Sequence, residues 1–161
     1  AERVDPAVWP VLAEAGAIVS VNATPKALGE ASALLTAFVG ARILVSHLGL
    51  PSAGAASSDE LTSRLGPLLQ LAHHDLVSVK VSGLYAVDPV FPHTAAIPVF
   101  NALLSAFGAG RLLWGSDFTP GLDAVSVDEL FAIPEWMQAC LSEAELRQVM
   151  SENLLTMLRE D

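Results

Sequence analysis

Residues 76–83 read Leu-Val-Ser-Val-Lys-Val-Ser-Gly, a run in which valines alternate with Ser78, Lys80 and Ser82 until Gly83 cuts it off. Period-two alternation of this kind predicts a β-strand with one apolar and one polar face. Three further β-rich runs stand on either side of it: residues 17–22 (AIVSVN), 42–48 (RILVSHL) and 111–116 (RLLWGS). Helical patterns fill the intervals. Asp5-Pro6 opens a first helix that Gly16 closes, and Leu28, Ala31, Leu34, Leu35 and Phe38 mark a second, stopped at Gly40. Ser57 and Glu60 form a capping box for a third, through Leu61, Leu65, Leu68, Leu69 and Ala72, in which Pro67 predicts a break. Residues 84–93, with Pro89 and Pro92, predict a long loop, and a helix through Ile97, Phe100, Leu103, Leu104 and Phe107 ends at Gly108. Two more capping boxes, Ser126/Glu129 and Ser142/Glu145, open a short helix and a final amphipathic one using Leu146, Val149, Met150, Leu154 and Leu158.

Strands separated by helices of this length cannot be hairpins, so the order predicts an α/β fold with a parallel sheet built by right-handed crossovers. Two architectures satisfy it, an open doubly wound parallel sheet or part of a TIM (β/α)8 barrel. No strand is followed by GxGxxG or GxxxxGK[ST], which removes the usual dinucleotide and P-loop signals.

The chain has 161 residues, 52% of them hydrophobic and 16% charged, which suits one domain and excludes intrinsic disorder. Eight basic residues against 18 acidic ones give a formal charge of −10, a balance that repels nucleic acid. Arg42, His47, Lys80 and Arg111 interrupt every apolar run before it reaches membrane-spanning length. A single cysteine, Cys140, allows no internal disulfide and fits a reducing compartment, so a cytoplasmic location is expected. The sequence opens on a polar stretch with neither an initiator Met nor a signal pattern.

In parallel sheets the chemistry sits at the carboxyl ends of the strands. Those ends carry Asn22, His47, Ser82 with Gly83, and Asp117. A carboxylate there can take a proton from water, and an imidazole can hold a metal or polarise a carbonyl. The structural alternatives are a core histidine and an aspartate that caps the next turn. Lys80 shares the parity of Ser78 and Ser82, so an ion pair is expected for it, with substrate contact as the second role. Tyr85 and His93, in the loop at the same end of the sheet, are candidate substrate contacts. His73, His74 and Arg111 fall at the opposite end and read as structural. Cys140 has no histidine beside it and does not read as a nucleophile.

Three segments, Val45-Ser46-His47-Leu48-Gly49 with Pro51, Val79-Lys80-Val81-Ser82-Gly83-Leu84, and Arg111-Leu112-Leu113-Trp114-Gly115-Ser116-Asp117-Phe118, together resemble the amidohydrolase-related family. Asn153-Leu154-Leu155 adds an echo of that family's terminal helix, and the lactonase branch is the most similar. The resemblance implies a single partial domain over residues 1–161, the C-terminal half of a barrel with strands five to eight; a full barrel takes about 250 residues. It implies that His47 matches the strand-six histidine and Asp117 the strand-eight aspartate, the general base and, in metal-bearing members, a ligand. Asp117 would activate water to open a small carboxylated or sugar lactone, His47 would polarise the carbonyl, and Lys80 and Ser82 would lie near the substrate. The sequence departs from the family in two places. Its first strand ends in Asn22 where metal-dependent members have a histidine, and its four histidines, His47, His73, His74 and His93, form no His-x-His pair. The expected cofactor is none, or a single zinc or manganese in the complete enzyme, with Asp117 and His47 as ligands. The alternatives are a metal-dependent decarboxylase or hydratase, and a non-catalytic half-barrel. The latter would hide open edges and an apolar interior by pairing with itself or with a chain carrying the other half.

Overall fold

The computed structural model describes residues 5, 7–36, 40–51 and 58–159. Four strands form its sheet: β1 (Ile18–Val21), β2 (Arg42–Val45), β3 (Val77–Val81) and β4 (Leu112–Trp114). They pair in the order β1-β2-β3-β4, every pair parallel. Among the described residues ten α-helices accompany them: α1 (Val8–Glu14), α2 (Pro25–Thr36), α3 (Ser58–Gln70), α4 (Leu84–Val87), α5 (Ile97–Phe107), α6 (Phe118–Gly121), α7 (Val127–Phe131), α8 (Glu135–Cys140), α9 (Glu143–Arg147) and α10 (Asn153–Arg159). A doubly wound sheet reverses its strand order at a switch point. These four strands run without reversal, in the sequence of a barrel wall, which decides between the two predicted architectures.

Alternation gives the sheet two different faces. Ile43, Val45, Val77, Val79, Val81 and Leu112 are each 2% exposed or less and join Leu65, Leu68, Phe100 and Leu103 in the core beneath the helices. The register sets Ser20 beside Leu44, Leu44 beside Ser78, and Lys80 beside Leu113, so these residues share the opposite face. Ser46 and Ser82 continue it, and Ser46 Oγ lies 3.3 Å from Ser20 Oγ. The expected apolar interior wall is therefore a mixed one, with serines and Lys80 between two leucines. The apolar excess of the sequence lies on the helix side.

Several local expectations are corrected. α3 runs unbroken through Pro67, whose ring faces Gly29 on α2, where a Cβ would stand 3.5 Å from it. The Ser57 capping box falls outside the described residues, whereas the boxes at Ser126 and Ser142 both form. The long loop carries α4 in its first turn. The strand predicted to Leu48 stops at Val45, and His47–Gly49 is a 3-10 turn. The final helix contains a π turn, Gln148–Glu152, after which Leu154 and Leu158 are 43% and 63% exposed. The reason is Asn153, whose Nδ2 donates to the Ala109 and Leu112 carbonyls at 2.8 Å each. That anchoring turns Met157 inward in place of the two leucines.

The amino end of the sheet is held by arginines that spend their donors on backbone carbonyls. Arg42 bonds the Met157 and Gly16 carbonyls. Arg111 donates to Phe107 O at 3.1 Å, His74 O at 2.9 Å and Ala72 O at 2.9 Å. The structural reading of Arg111 thus has a specific basis, three backbone carbonyls at or near helix ends satisfied by one guanidinium. Arg111→Leu is expected to destabilise the fold by about 2–4 kcal/mol. Arg111→Lys should recover only part of that loss. Urea unfolding checks both as a lower midpoint at unchanged slope.

Candidate active site

Three strand ends converge at the carboxyl edge of the sheet. His47 follows β2 in the left-handed region at φ +54, and Asp117 follows β4 at φ +52. Ser82 and Gly83 follow β3 between them, Ser82 1% exposed and Gly83 at φ +66. A side chain is strained in that backbone conformation, by about 1–2 kcal/mol, and such strain persists where surrounding structure enforces it. All five non-glycine residues found there among the described ones, His47, Leu48, Leu50, His93 and Asp117, lie in the loops that follow the strands.

The resulting cluster is closely knit. His47 Nδ1 lies 3.0 Å from Ser82 Oγ and 3.3 Å from Asp117 Oδ2. The Tyr85 hydroxyl, from α4, donates to the same Oδ2 at 2.5 Å. A Cβ on Gly83 would stand 3.3 Å from both Asp117 Oδ2 and His47 Nδ1, so the bare glycine lets the two side chains meet across the end of β3. An ionised carboxylate only accepts, and the tautomer that satisfies this contact carries its hydrogen on Nδ1. Nε2 is then the ring atom left for a ligand. The Asp117 side chain makes no cap bond to α6, which removes the turn-cap alternative. Both side chains are 17% exposed, reachable yet shielded. Beside His47 opens a cavity of about 160 Å³ lined by Thr24, Leu50, Pro51, Gly83, Ala86 and Val87.

The remaining candidates fall around this cluster. Asn22 is exposed at the end of β1 and does not line the cavity. Lys80 makes no ion pair within 4 Å among the described residues, which corrects the expectation of one; its stem instead crosses Gly115, where a Cβ would come within 2.6 Å of Cε. His93 is 5% exposed and donates through Nδ1 to Asp88 O at 2.7 Å. The Asp88 carboxylate accepts from Ala95 N at 2.9 Å and Val90 N at 3.2 Å, contacts that hold its carboxyl below the usual range and fold the loop around the ring. His93 and Tyr85 both line a void of about 10 Å³, near the size of one water. Sequence reasoning placed Tyr85 as a substrate contact and missed its bond to Asp117; a tyrosine two residues beyond a strand-end glycine was the available signal.

Among the described residues no group of three His, Cys, Asp or Glu side chains is placed to hold a metal. A catalytic zinc takes three protein ligands. His47 and Asp117 alone fall short of such a set. No helix of the described residues is long and apolar enough to cross a membrane.

A sequence profile of the amidohydrolase family matches residues 2–159. The chain belongs to that family. Among curated amidohydrolase relatives it is 28% identical over 118 residues to the L-fucono-1,5-lactonase of Burkholderia ambifaria, a match spanning 73% of this chain and 40% of the lactonase. An amidohydrolase from Burkholderia multivorans, solved with bound zinc, is 25% identical with a TM-score of 0.84 over 94% of this chain and 56% of its own. Amidohydrolase 2 from Bifidobacterium longum subsp. infantis shares the fold, with a TM-score of 0.69 at 19% identity, over 97% of this chain and 55% of that one. The present amidohydrolase chain thus spans about half the length of the relatives it matches, and its four β/α units superpose on that portion of a barrel.

Tyr85 is the chain's single tyrosine, which makes its protonation directly observable. Burial, the hydrogen bond to Asp117 and the negative charges of Asp117 and Asp123 all hold its phenol protonated above the ordinary range. An unfolded tyrosine ionises near about 10. Above that pH the unfolded chain gives up its proton first, so stability falls as pH rises toward the folded midpoint. Alkaline titration of tyrosinate absorbance should show a late transition that Asp117→Asn brings to lower pH. An unmoved transition would mean that the two groups do not meet in solution.

Proposed function

We propose that these residues form part of the active site of a lactone hydrolase in which Asp117 activates the attacking water. The observation that carries this reading is the use of one carboxylate oxygen. Oδ2 takes the Tyr85 hydroxyl and faces His47, an arrangement that orients the group and leaves Oδ1 to receive a proton from water. The water's oxygen bonds to the lactone carbonyl carbon while its proton passes to Asp117. The His47 ring beside that carboxylate polarises the carbonyl as negative charge builds on its oxygen. Collapse of the tetrahedral intermediate breaks the ring C–O bond, and the proton held by Asp117 goes to the departing alkoxide. Ser82 orients His47, and Lys80, Tyr85, Asn22 and His93, at or near the same end of the sheet, are the candidate substrate contacts outside the cavity beside His47.

The substrate we infer is a small carboxylated or sugar-derived lactone, in line with the name of the Burkholderia ambifaria relative. We read the protein as cytoplasmic, with His47 and Asp117 as the ligands of any zinc or manganese it holds. The outer strands β1 and β4 each have one unpaired edge among the described residues. Further strands, from the same polypeptide or a second chain, would close the barrel and complete the site, and the isolated 161 residues would turn over lactones weakly or not at all.

In the active protein, Asp117→Asn is expected to lower kcat/KM for lactone opening by roughly 10²–10⁴-fold, read as acid release, with the far-ultraviolet dichroism unchanged. Turnover indifferent to Asp117→Asn refutes the assignment. The zinc in the Burkholderia multivorans relative favours a second reading, a metal-dependent hydrolase, decarboxylase or hydratase. Dialysis against a chelator separates the two: activity that survives supports the metal-independent lactonase, and loss restored by stoichiometric zinc or manganese supports the second.

A further inference from the structure

A second cavity, of about 380 Å³, opens at the amino end of the sheet, away from His47 and Asp117. That volume lies within the range of small-molecule sites, about 300–1,000 Å³. Arg42 at the start of β2, Ser78 on β3 and Arg111 just ahead of β4 line it, with Gln148 of the π turn. Asp75 and Thr156, both exposed, line its solvent side. Ser78 is 7% exposed, and its hydroxyl has no hydrogen-bond partner among the described residues. Buried hydroxyls are almost always bonded, so one left over at a cavity wall points to a group that enters the cavity. The two arginines carry a second mark of the same kind. Neither has a carboxylate within 4 Å among the described residues, whereas Arg64 and Arg147 pair with glutamates. Their bonds to the carbonyls of Met157 and Gly16, and of Phe107, His74 and Ala72, fix where the two guanidinium planes stand. A carbonyl takes a hydrogen without supplying a full charge, so two positive charges face one cavity uncompensated.

We propose that this cavity binds a small hydroxycarboxylate, its carboxylate held by Ser78 and the Arg42 guanidinium and one of its hydroxyls given to Asp75. A carboxylate accepts from both O–H and N–H groups, and the planar guanidinium matches its two oxygens. Arg42 bonds fewer carbonyls than Arg111 and so keeps more N–H groups for a ligand. Asp75 decides the rest of the ligand's chemistry. An ionised aspartate only accepts, and it repels a further negative charge. A doubly charged anion such as phosphate therefore gains least here, and a singly charged one with a hydroxyl to donate gains most. No residue of this cavity belongs to the cluster around Asp117, and its ligand is independent of the reading of lactone opening.

Isothermal titration calorimetry of the purified chain with D-gluconate tests this, beside hexanoate, which lacks hydroxyls, and inorganic phosphate, which carries more charge. D-Gluconate is expected to bind at one site with a Kd on the order of 1 mM, and more weakly as salt rises. Ser78→Ala should weaken it about tenfold, and Arg42→Gln at least as much. Asp75→Asn should move two ligands in opposite directions, weakening D-gluconate and strengthening phosphate. His47→Ala, at the other end of the strands, should leave D-gluconate binding unchanged, which separates this cavity from the proposed site of hydrolysis. Far-ultraviolet dichroism before each titration shows that the variant is folded. If Arg42→Gln does not fold, Ser78→Ala and Asp75→Asn carry the test, because neither side chain is bonded to another described residue. D-Gluconate binding that is absent, that survives Ser78→Ala undiminished, or that disappears with His47→Ala overturns the proposal. So does phosphate or hexanoate that binds as tightly as D-gluconate.

Discussion

Parallel pairing in unbroken chain order sets the carboxyl ends of adjacent strands side by side, about 4.8 Å apart. A residue placed just beyond one strand can then meet its counterpart on the strand after next, provided that nothing stands between them. Here the residue between is Gly83, and its missing side chain is the space across which His47 and Asp117 approach. Every chemical feature of the chain follows from this constraint. His47, Ser82, Tyr85 and Asp117 come from three successive β/α units, whose strands β2, β3 and β4 lie side by side.

The two ends of the sheet do opposite things with their backbone. At the amino end, Arg42, Arg111 and Asn153 direct side-chain donors at carbonyls that would otherwise end the strands and turns unsatisfied. At the carboxyl end, His47, Leu48, Leu50, His93 and Asp117 sit in a conformation that disfavours side chains. Strain of this size, about 1–3 kcal/mol per residue, needs a scaffold that is not itself near unfolding. The valine-rich helix side of the sheet and the arginine-bonded floor supply it, and the polar edge is where the stabilisation is spent. Substitutions at Arg111 and at Asp117 should therefore differ in kind, one changing stability and the other chemistry.

Much of this could be read from the residues alone. The alternation in residues 76–83 located β3 and assigned its faces, and the strand-end rule singled out His47, Ser82 and Asp117 before any geometry was known. What escaped the sequence depended on packing over long separations. α3 continues through Pro67, whose ring faces Gly29 on α2, and no local rule weighs that long-range packing. Asn153 turns α10 by binding carbonyls some forty residues earlier, so the leucine stripe written in the helical period faces solvent. Left-handed residues other than glycine leave no compositional trace, and the 3-10 turn at His47 looked like three more residues of strand.

Lys80 shows why parity can be right while the inferred role fails. A lysine inside an apolar strand suggested a buried charge in need of a carboxylate. Its face of the sheet carries Ser20, Ser46, Ser78 and Ser82 as well as Leu44 and Leu113, and its methylene stem passes close over Gly115. The cost that demanded an ion pair applies to a charge surrounded by hydrocarbon, and on this wall hydroxyls stand among the leucines. The same fact disposes of the 52% hydrophobic content as a sign of an apolar interior. Most of the buried apolar residues lie under the helices, and the opposite face mixes Leu44 and Leu113 with the hydroxyls of Ser20, Ser78 and Ser82 and with Lys80.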